Sequence, residues 1–182
     1  MRLGLVGPAN GDRRALREAL EFVLGDVDVD QALYLGREVA TVRGTVRRWR
    51  AELLGGDGGP DAFLDRAVEL ALEGAPAQIE ALLRAEDMAR RLERVRTLPP
   101  APARAVELLG DRIVLAVHDK SVLEEEDIVN AQLIVYGRAP KAELRRFGRR
   151  YFLTPGPLAE EKVAVVELES DGQVSIALFE TS

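Results

Sequence analysis

The chain opens on a short apolar run, Arg2-Leu3-Gly4-Leu5-Val6, that stops at Gly7-Pro8, and a second run of the same form, Gln31-Ala-Leu-Tyr-Leu, stops at Gly36. Runs this short and this apolar suit strands buried on both faces, and a Gly-Pro pair closes the first of them with a loop. Between the two, Ala15, Leu16, Ala19, Leu20, Val23 and Leu24 recur at three- and four-residue spacing. That is one face of an amphipathic helix, with Asn10 or Asp12 as its cap. Strand, helix and strand in succession make a βαβ unit, the crossover that parallel strands require, and this places the amino-terminal end in the α/β class.

From Glu38 to Trp49 the pattern fits a helix as well as a strand followed by a helix, and the conformation of residues 38–60 stays open. Leu54-Gly-Gly-Asp-Gly-Gly-Pro60 is a turn-forming stretch. Beyond it the spacing predicts helices over Asp61–Leu72 and Pro76–Val95, an αα-hairpin with Gly74 as the first helix's stop. Leu98-Pro-Pro-Ala-Pro102 then ends helix formation, because each proline lacks an amide donor and disfavours α conformation before it. After that the period becomes two. Hairpins are predicted around Gly110-Asp111, Gly148 and Asp171-Gly172, with a further strand at Leu133–Tyr136 and a short acidic helix capped by Ser121. Parallel and antiparallel strands with helices on both sides predict a layered α/β sandwich in one domain, residues 1–182.

Composition narrows the function. The chain has no Cys, which excludes disulfides, thiolate metal sites and Cys nucleophiles and suits a cytoplasmic setting. The start MRLGLVGPANGDRR carries too few apolar residues for a signal-peptide core or a membrane span. A net charge of −6 opposes broad affinity for nucleic acid, which rests on neutralising phosphates. Two local basic clusters, Arg43-Arg47-Arg48-Arg50 with Trp49 available for stacking, and Lys141-Arg145-Arg146-Arg149-Arg150, read first as solvated faces.

Ligands of open α/β sheets gather at the carboxyl ends of the strands. The loops there are Gly7-Pro8-Ala9-Asn10-Gly11, Gly36-Arg37-Glu38, His118-Asp119-Lys120 and Gly137-Arg138-Ala139-Pro140. Their order and spacing resemble the calcineurin-like metallophosphoesterase superfamily, its small phosphodiesterases above all. MRLGLVGPANG resembles the family's first strand running into Ser-Asp-x-His-Gly, and LYLGRE its second strand ending in Gly-Asp. VELLGDRIVLAVHDK resembles the hairpin leading into its later histidine loop. LIVYGRAPKAELRRFGRRYFLTPGPL resembles the strand ending in Gly-His-x-His with the segment after it, and KVAVVELESDGQVSIALFE the closing hairpin. The similarity covers residues 1–37 and 98–180. Its implied fold is a sandwich of two mixed β-sheets flanked by helices, with the unmatched helical middle, about 55–97, as an insertion.

The resemblance implies a two-metal site, which needs Asp, His and Asn ligands at the loop tips. The matching positions here hold Pro8, Asn10, Arg37, His118, Arg138 and Pro140. Proline offers no side-chain ligand and arginine is a permanent cation, so only His118 remains a plausible ligand. The expectation is a degenerate member with no metal and no cofactor: a non-catalytic interaction or regulatory module. The alternatives are a weak metal-dependent phosphodiesterase or phosphatase with a rearranged site, and a phosphate or nucleotide sensor in which Arg37 and Arg138 bind the anion. Those two arginines equally well pair with Asp12, Glu38 or Asp119 and merely neutralise the pocket. His118, the only histidine, would have to serve any catalytic triad, and the adjacent Asp119 points the other way along a strand. In the helical middle, apolar stripes either pack inward or offer a surface for an unknown protein partner or for self-association, with Phe63, Leu64, Leu82 and Leu83 as the contact residues.

Overall fold

The computed structural model describes residues 1–181. In chain order the elements are β1 (Arg2–Val6), α1 (Arg13–Glu21), β2 (Gln31–Tyr34), α2 (Val39–Leu54), α3 (Pro60–Glu73), α4 (Pro76–Arg91) and β3 (Val95–Thr97). Then come β4 (Ala105–Leu109), β5 (Arg112–Val117), α5 (Glu125–Asn130), β6 (Leu133–Tyr136), β7 (Glu143–Phe147), β8 (Arg150–Thr154), β9 (Lys162–Leu168) and β10 (Val174–Glu180). They form two five-stranded mixed sheets, ordered β10-β9-β1-β2-β3 and β4-β5-β6-β8-β7. β1, β2 and β3 run parallel, as do β5, β6 and β8, and the hairpin strands add antiparallel at the edges.

The period-two pattern decides the layering. Leu5 sits between Leu33 and Ala164 in register, and this row faces the second sheet, where Val114, Ala116, Val135 and Leu153 complete an inter-sheet core. The alternate residues of the first sheet, Val6, Ala32, Tyr34, Val163 and Val165, face Leu16 and Leu20 of α1 and Val42 and Trp49 of α2. On the far side of the second sheet, Leu115 and Ile134 pack under Leu123 and Ile128 around α5. The result is a helix-sheet-sheet-helix sandwich. Among the described residues no helix is long and apolar enough to cross a membrane.

Several local expectations resolve. Asp12, not Asn10, caps α1, its carboxylate accepting from the Arg14 and Ala15 amides at 2.9 and 3.0 Å. The ambiguous stretch after Glu38 is the helix α2, whose buried Val42, Thr45 and Trp49 follow helical spacing. α5 starts after Glu124 rather than Ser121, whose amide instead donates to the Asp119 carboxylate. The helix read through Val95 stops at Arg91, and Val95–Thr97 pairs with Ala32–Tyr34 as an edge strand, so the last residues of the 55–97 segment belong to the sheet. α3 buries no residue fully.

Candidate functional site at the strand ends

β1, β2, β5 and β6 all end at the same pole of the sandwich, where the two sheets' loops meet closely. A Cβ on Gly7 would collide with the Gly156 carbonyl, and one on Gly137 with the Leu35 carbonyl. Each glycine therefore permits backbone-to-backbone approach between loops of opposite sheets. The loops enclose an open pocket of about 510 Å³. Pro8, Asn10, Arg37, His118 and Arg138 all line it, together with Glu38, Ala139 and Pro157. Pro140 lies outside the lining.

His118 is buried, 6% exposed, and spans the sheets. Its Nδ1 faces the Leu35 carbonyl at 3.0 Å and its Nε2 the Pro99 carbonyl at 3.1 Å. A carbonyl oxygen only accepts and a neutral imidazole carries one N–H, so the ring donates to one of the two carbonyls while its other nitrogen packs against the second, which seats the side chain between the two loops. Asp119 turns away, as strand alternation predicts, and its Oδ2 accepts from Arg138 Nη1 at 2.8 Å. The Ser121 amide, and after it the Arg138 guanidinium, hold the Asp119 carboxyl below its ordinary range. Arg138 is thus one of the two arginines that finds a counter-ion. Arg37 has no carboxylate within 4 Å among the described residues, because Asp12 caps α1 and Glu38 is engaged elsewhere.

Two residues that sequence reasoning passed over organise this end. Tyr34 is buried, accepts from the Ala9 amide at 2.9 Å and donates to Glu38 Oε2 at 2.8 Å. Burial, with the neighbouring Glu38 carboxylate, pushes its phenol well above the usual range, so it stays a donor. Tyr136 takes the matching place in the second sheet, donating to Glu143 Oε2 at 3.2 Å with Lys120 over its ring. The repeated Tyr-(Leu)-Gly-Arg ending was the available signal.

Neither a protein-family model nor a curated protein sequence matches the chain. Solved structures do. A novel archaeal phosphodiesterase superposes with a TM-score of 0.55 over 98% of this chain and 100% of its own, at 12% identity. A Streptococcus pneumoniae protein described as a predicted phosphoesterase does so at 0.54 over 99% and 89%, with 16% identity. A Thermotoga maritima protein superposes at 0.51 over 98% of both chains, also at 16% identity. The chain has the calcineurin-like metallophosphoesterase fold. At these identities the likeness is one of fold alone.

The phosphoesterase fold implies divalent metals at this pole, and the side chains present do not fit them. Among the described residues no three His, Cys, Asp or Glu side chains come together as a ligand set. His118 is a lone imidazole seated between two backbone carbonyls, Asp119 is paired with Arg138, and Glu38 accepts from Tyr34. Arg37, which pairs with no carboxylate among the described residues, adds fixed positive charge to the pocket that a dication would have to enter.

The partner-contact residues separate into two pairs. Leu82 is buried and Phe63 half-buried, the latter lining a surface recess with Leu54, Pro60 and Ala89. Their helical positions face inward, which is where large apolar side chains gain most. Leu64 and Leu83 are exposed, each 57%. Val68 and Leu72, not singled out in the sequence, are exposed as well and continue the Leu64 stripe along α3. Trp49 is buried beneath Arg17, so its ring is not available for stacking on a base.

Proposed function

We infer that this chain is a phosphoesterase-fold protein without phosphoesterase chemistry, serving as a cytoplasmic interaction or regulatory module. The observation that carries the reading is the lining of the pole: its single imidazole, His118, lies buried between backbone carbonyls of two different loops, and Pro8, Asn10, Arg37 and Arg138 stand around it where metal ligands would be needed. What the fold uses elsewhere as a reactive end is here a structural clamp flanked by arginines. The test is titration of purified protein with manganese by calorimetry, followed by bis-p-nitrophenyl phosphate hydrolysis in excess manganese. The expected result is no stoichiometric binding and no turnover above buffer. Tight metal binding, or turnover lost in His118→Ala, would sink the reading in favour of a rearranged phosphodiesterase site.

The surface offered to a partner is the outer face of α3. Leu64, Val68 and Leu72 make an apolar stripe at four-residue spacing, and Asp61, Asp65, Glu69 and Glu73 make a parallel acidic column beside it. The one cation of α3, Arg66, turns toward the Leu53 carbonyl. An apolar stripe bordered by carboxylates fits a basic amphipathic helix, whose cations would meet the acidic column. A second copy packed antiparallel would set like charges side by side, which argues against self-association through this face. A fluorescent Leu/Lys amphipathic peptide should bind with an affinity that falls at least about tenfold in Val68→Asp/Leu72→Asp. Light scattering should show a monomer. A dimer broken by that double variant would replace the hetero-partner by a second copy.

A second reading has its own observation. Arg37 lines the pocket and lacks a counter-ion, as an anion sensor requires. It predicts thermal stabilisation by phosphate or a nucleotide that disappears in Arg37→Ala.

A further inference from the structure

A groove on the helical face, sharing no residue with the strand-end pocket, runs between α1 and α2. One recess of about 300 Å³ is lined by Arg13, Arg14, Arg17, Arg48 and Thr45 over Gly44. A second, of about 560 Å³, shares Arg13, Gly44 and Arg48 and adds Arg47. Five arginines on one groove stand out in a chain of net charge −6. Two are spoken for, since Arg14 pairs with Glu18 and Arg17 with Glu52 while lying over Trp49. Arg13, Arg47 and Arg48 have no carboxylate within 4 Å among the described residues. The one further carboxylate at the groove, Asp57, accepts from the Gly59 amide.

A second observation points to a ligand. Thr45 is 9% exposed, and its Oγ1 is sealed from solvent without a hydrogen-bond partner. A buried hydroxyl without a partner is destabilising, and the cost is recovered if a ligand oxygen supplies one. Thr45 lines the recess while its hydroxyl is sealed, so a turn about χ1, for which helical threonine has two favoured rotamers, is what brings the hydroxyl to a bound oxygen. The floor is also left open: a Cβ built on Gly44, in mid-helix, would meet nothing within 4 Å.

We propose that this groove is an anion site for linked phosphoryl groups of the pyrophosphate or polyphosphate class. A single phosphate is satisfied by one or two guanidinium forks, whereas three unpaired arginines spread over two adjoining recesses call for an extended polyanion. Trp49, which with Glu52 also lines the first recess, is 3% exposed with Arg17 over its ring, so no free face is offered to a nucleobase, and the recognition is of phosphate rather than nucleotide. The α1 amino terminus takes no part, because Asp12 already caps it.

The experiment is calorimetry and thermal denaturation with tripolyphosphate, pyrophosphate, ADP and sulfate at a constant ionic strength of about 0.15 M, where non-specific charge effects are screened alike. Tripolyphosphate should stabilise most, ADP no more than pyrophosphate, and sulfate least. Arg13→Ala/Arg48→Ala should weaken tripolyphosphate binding by about tenfold or more, as loss of charge-assisted hydrogen bonds requires. Gly44→Leu should abolish it by filling the floor while the protein stays folded, and Thr45→Val should weaken it without lowering the melting temperature of the free protein. Arg37→Ala should leave it unchanged, which keeps this site distinct from the strand-end pocket. Stabilisation matched by sulfate, affinity retained in the double arginine variant, or affinity lost in Arg37→Ala would overturn the proposal.

Discussion

The loops that follow β2 and β6 begin almost alike and end in opposite electrostatic states. Each closes its strand with a buried tyrosine, reaches a glycine and then an arginine, and each tyrosine donates to a glutamate of the same sheet's neighbourhood. Arg138 nevertheless pairs with Asp119, while Arg37 has no counter-ion among the described residues. The difference comes from the neighbouring strand. β5 beside β6 delivers Asp119 within reach of the Arg138 guanidinium, whereas β1 beside β2 delivers Pro8, which has nothing to offer one. Similar local motifs acquire different chemistry from the loop next door.

The largest expected effect comes from cutting the tie between the two loops. His118→Ala removes the ring that bridges the Leu35 and Pro99 carbonyls, takes away the N–H donated to one of them and opens a cavity between the loops, at a cost of about 3 kcal/mol. For a domain of this size that lowers the melting temperature by roughly 6–12 °C. Wild-type melting in this variant would mean that the loops hold together without the imidazole.

The tyrosines sharpen the contrast next. Tyr34→Phe strands the buried Ala9 amide and should cost about 1–2 kcal/mol in chemical denaturation. Tyr136→Phe, which removes a longer bond to a half-buried glutamate, should cost no more than about 0.5 kcal/mol. Equal losses would show that the two loops are built more alike than their hydrogen bonds indicate.

Acid should distinguish the loops as well. The Asp119 carboxyl is held below its unfolded value, so its contribution is complete above a pH of about 4 and is lost as pH falls through the lower folded value. Melting curves of wild type and Asp119→Asn should therefore differ by a constant amount near neutrality and converge below about pH 4. A gap that persists into strong acid would assign the difference to shape rather than charge.

The smallest effect concerns the arginines. The Arg138 side chain is 80% exposed, so Arg138→Ala should cost less than about 1 kcal/mol, and the cost should vanish in about 1 M salt. Arg37→Ala should leave stability unchanged at any salt concentration. A measurable loss there would reveal a counter-ion and remove the asymmetry.

The sequence by itself determined every strand but β3, the hairpin turns and the layering, because alternation, helical spacing and the glycines at Gly110, Gly148 and Gly172 are local properties, each glycine sitting at positive φ in its hairpin turn. It also marked the pocket, since Pro8, Asn10, Arg37, His118 and Arg138 all follow strand ends. Only the tertiary structure decided which arginine is neutralised, that His118 bonds a carbonyl 83 residues earlier in the chain, and which stripe of α3 faces outward. β3 was invisible for the same reason: three residues carry no period of their own, and Val95–Thr97 is a strand because β2 supplies its hydrogen bonds. A residue's conformation is set largely by its neighbours in the chain, whereas its charge state and its partners are set by whatever the fold brings alongside.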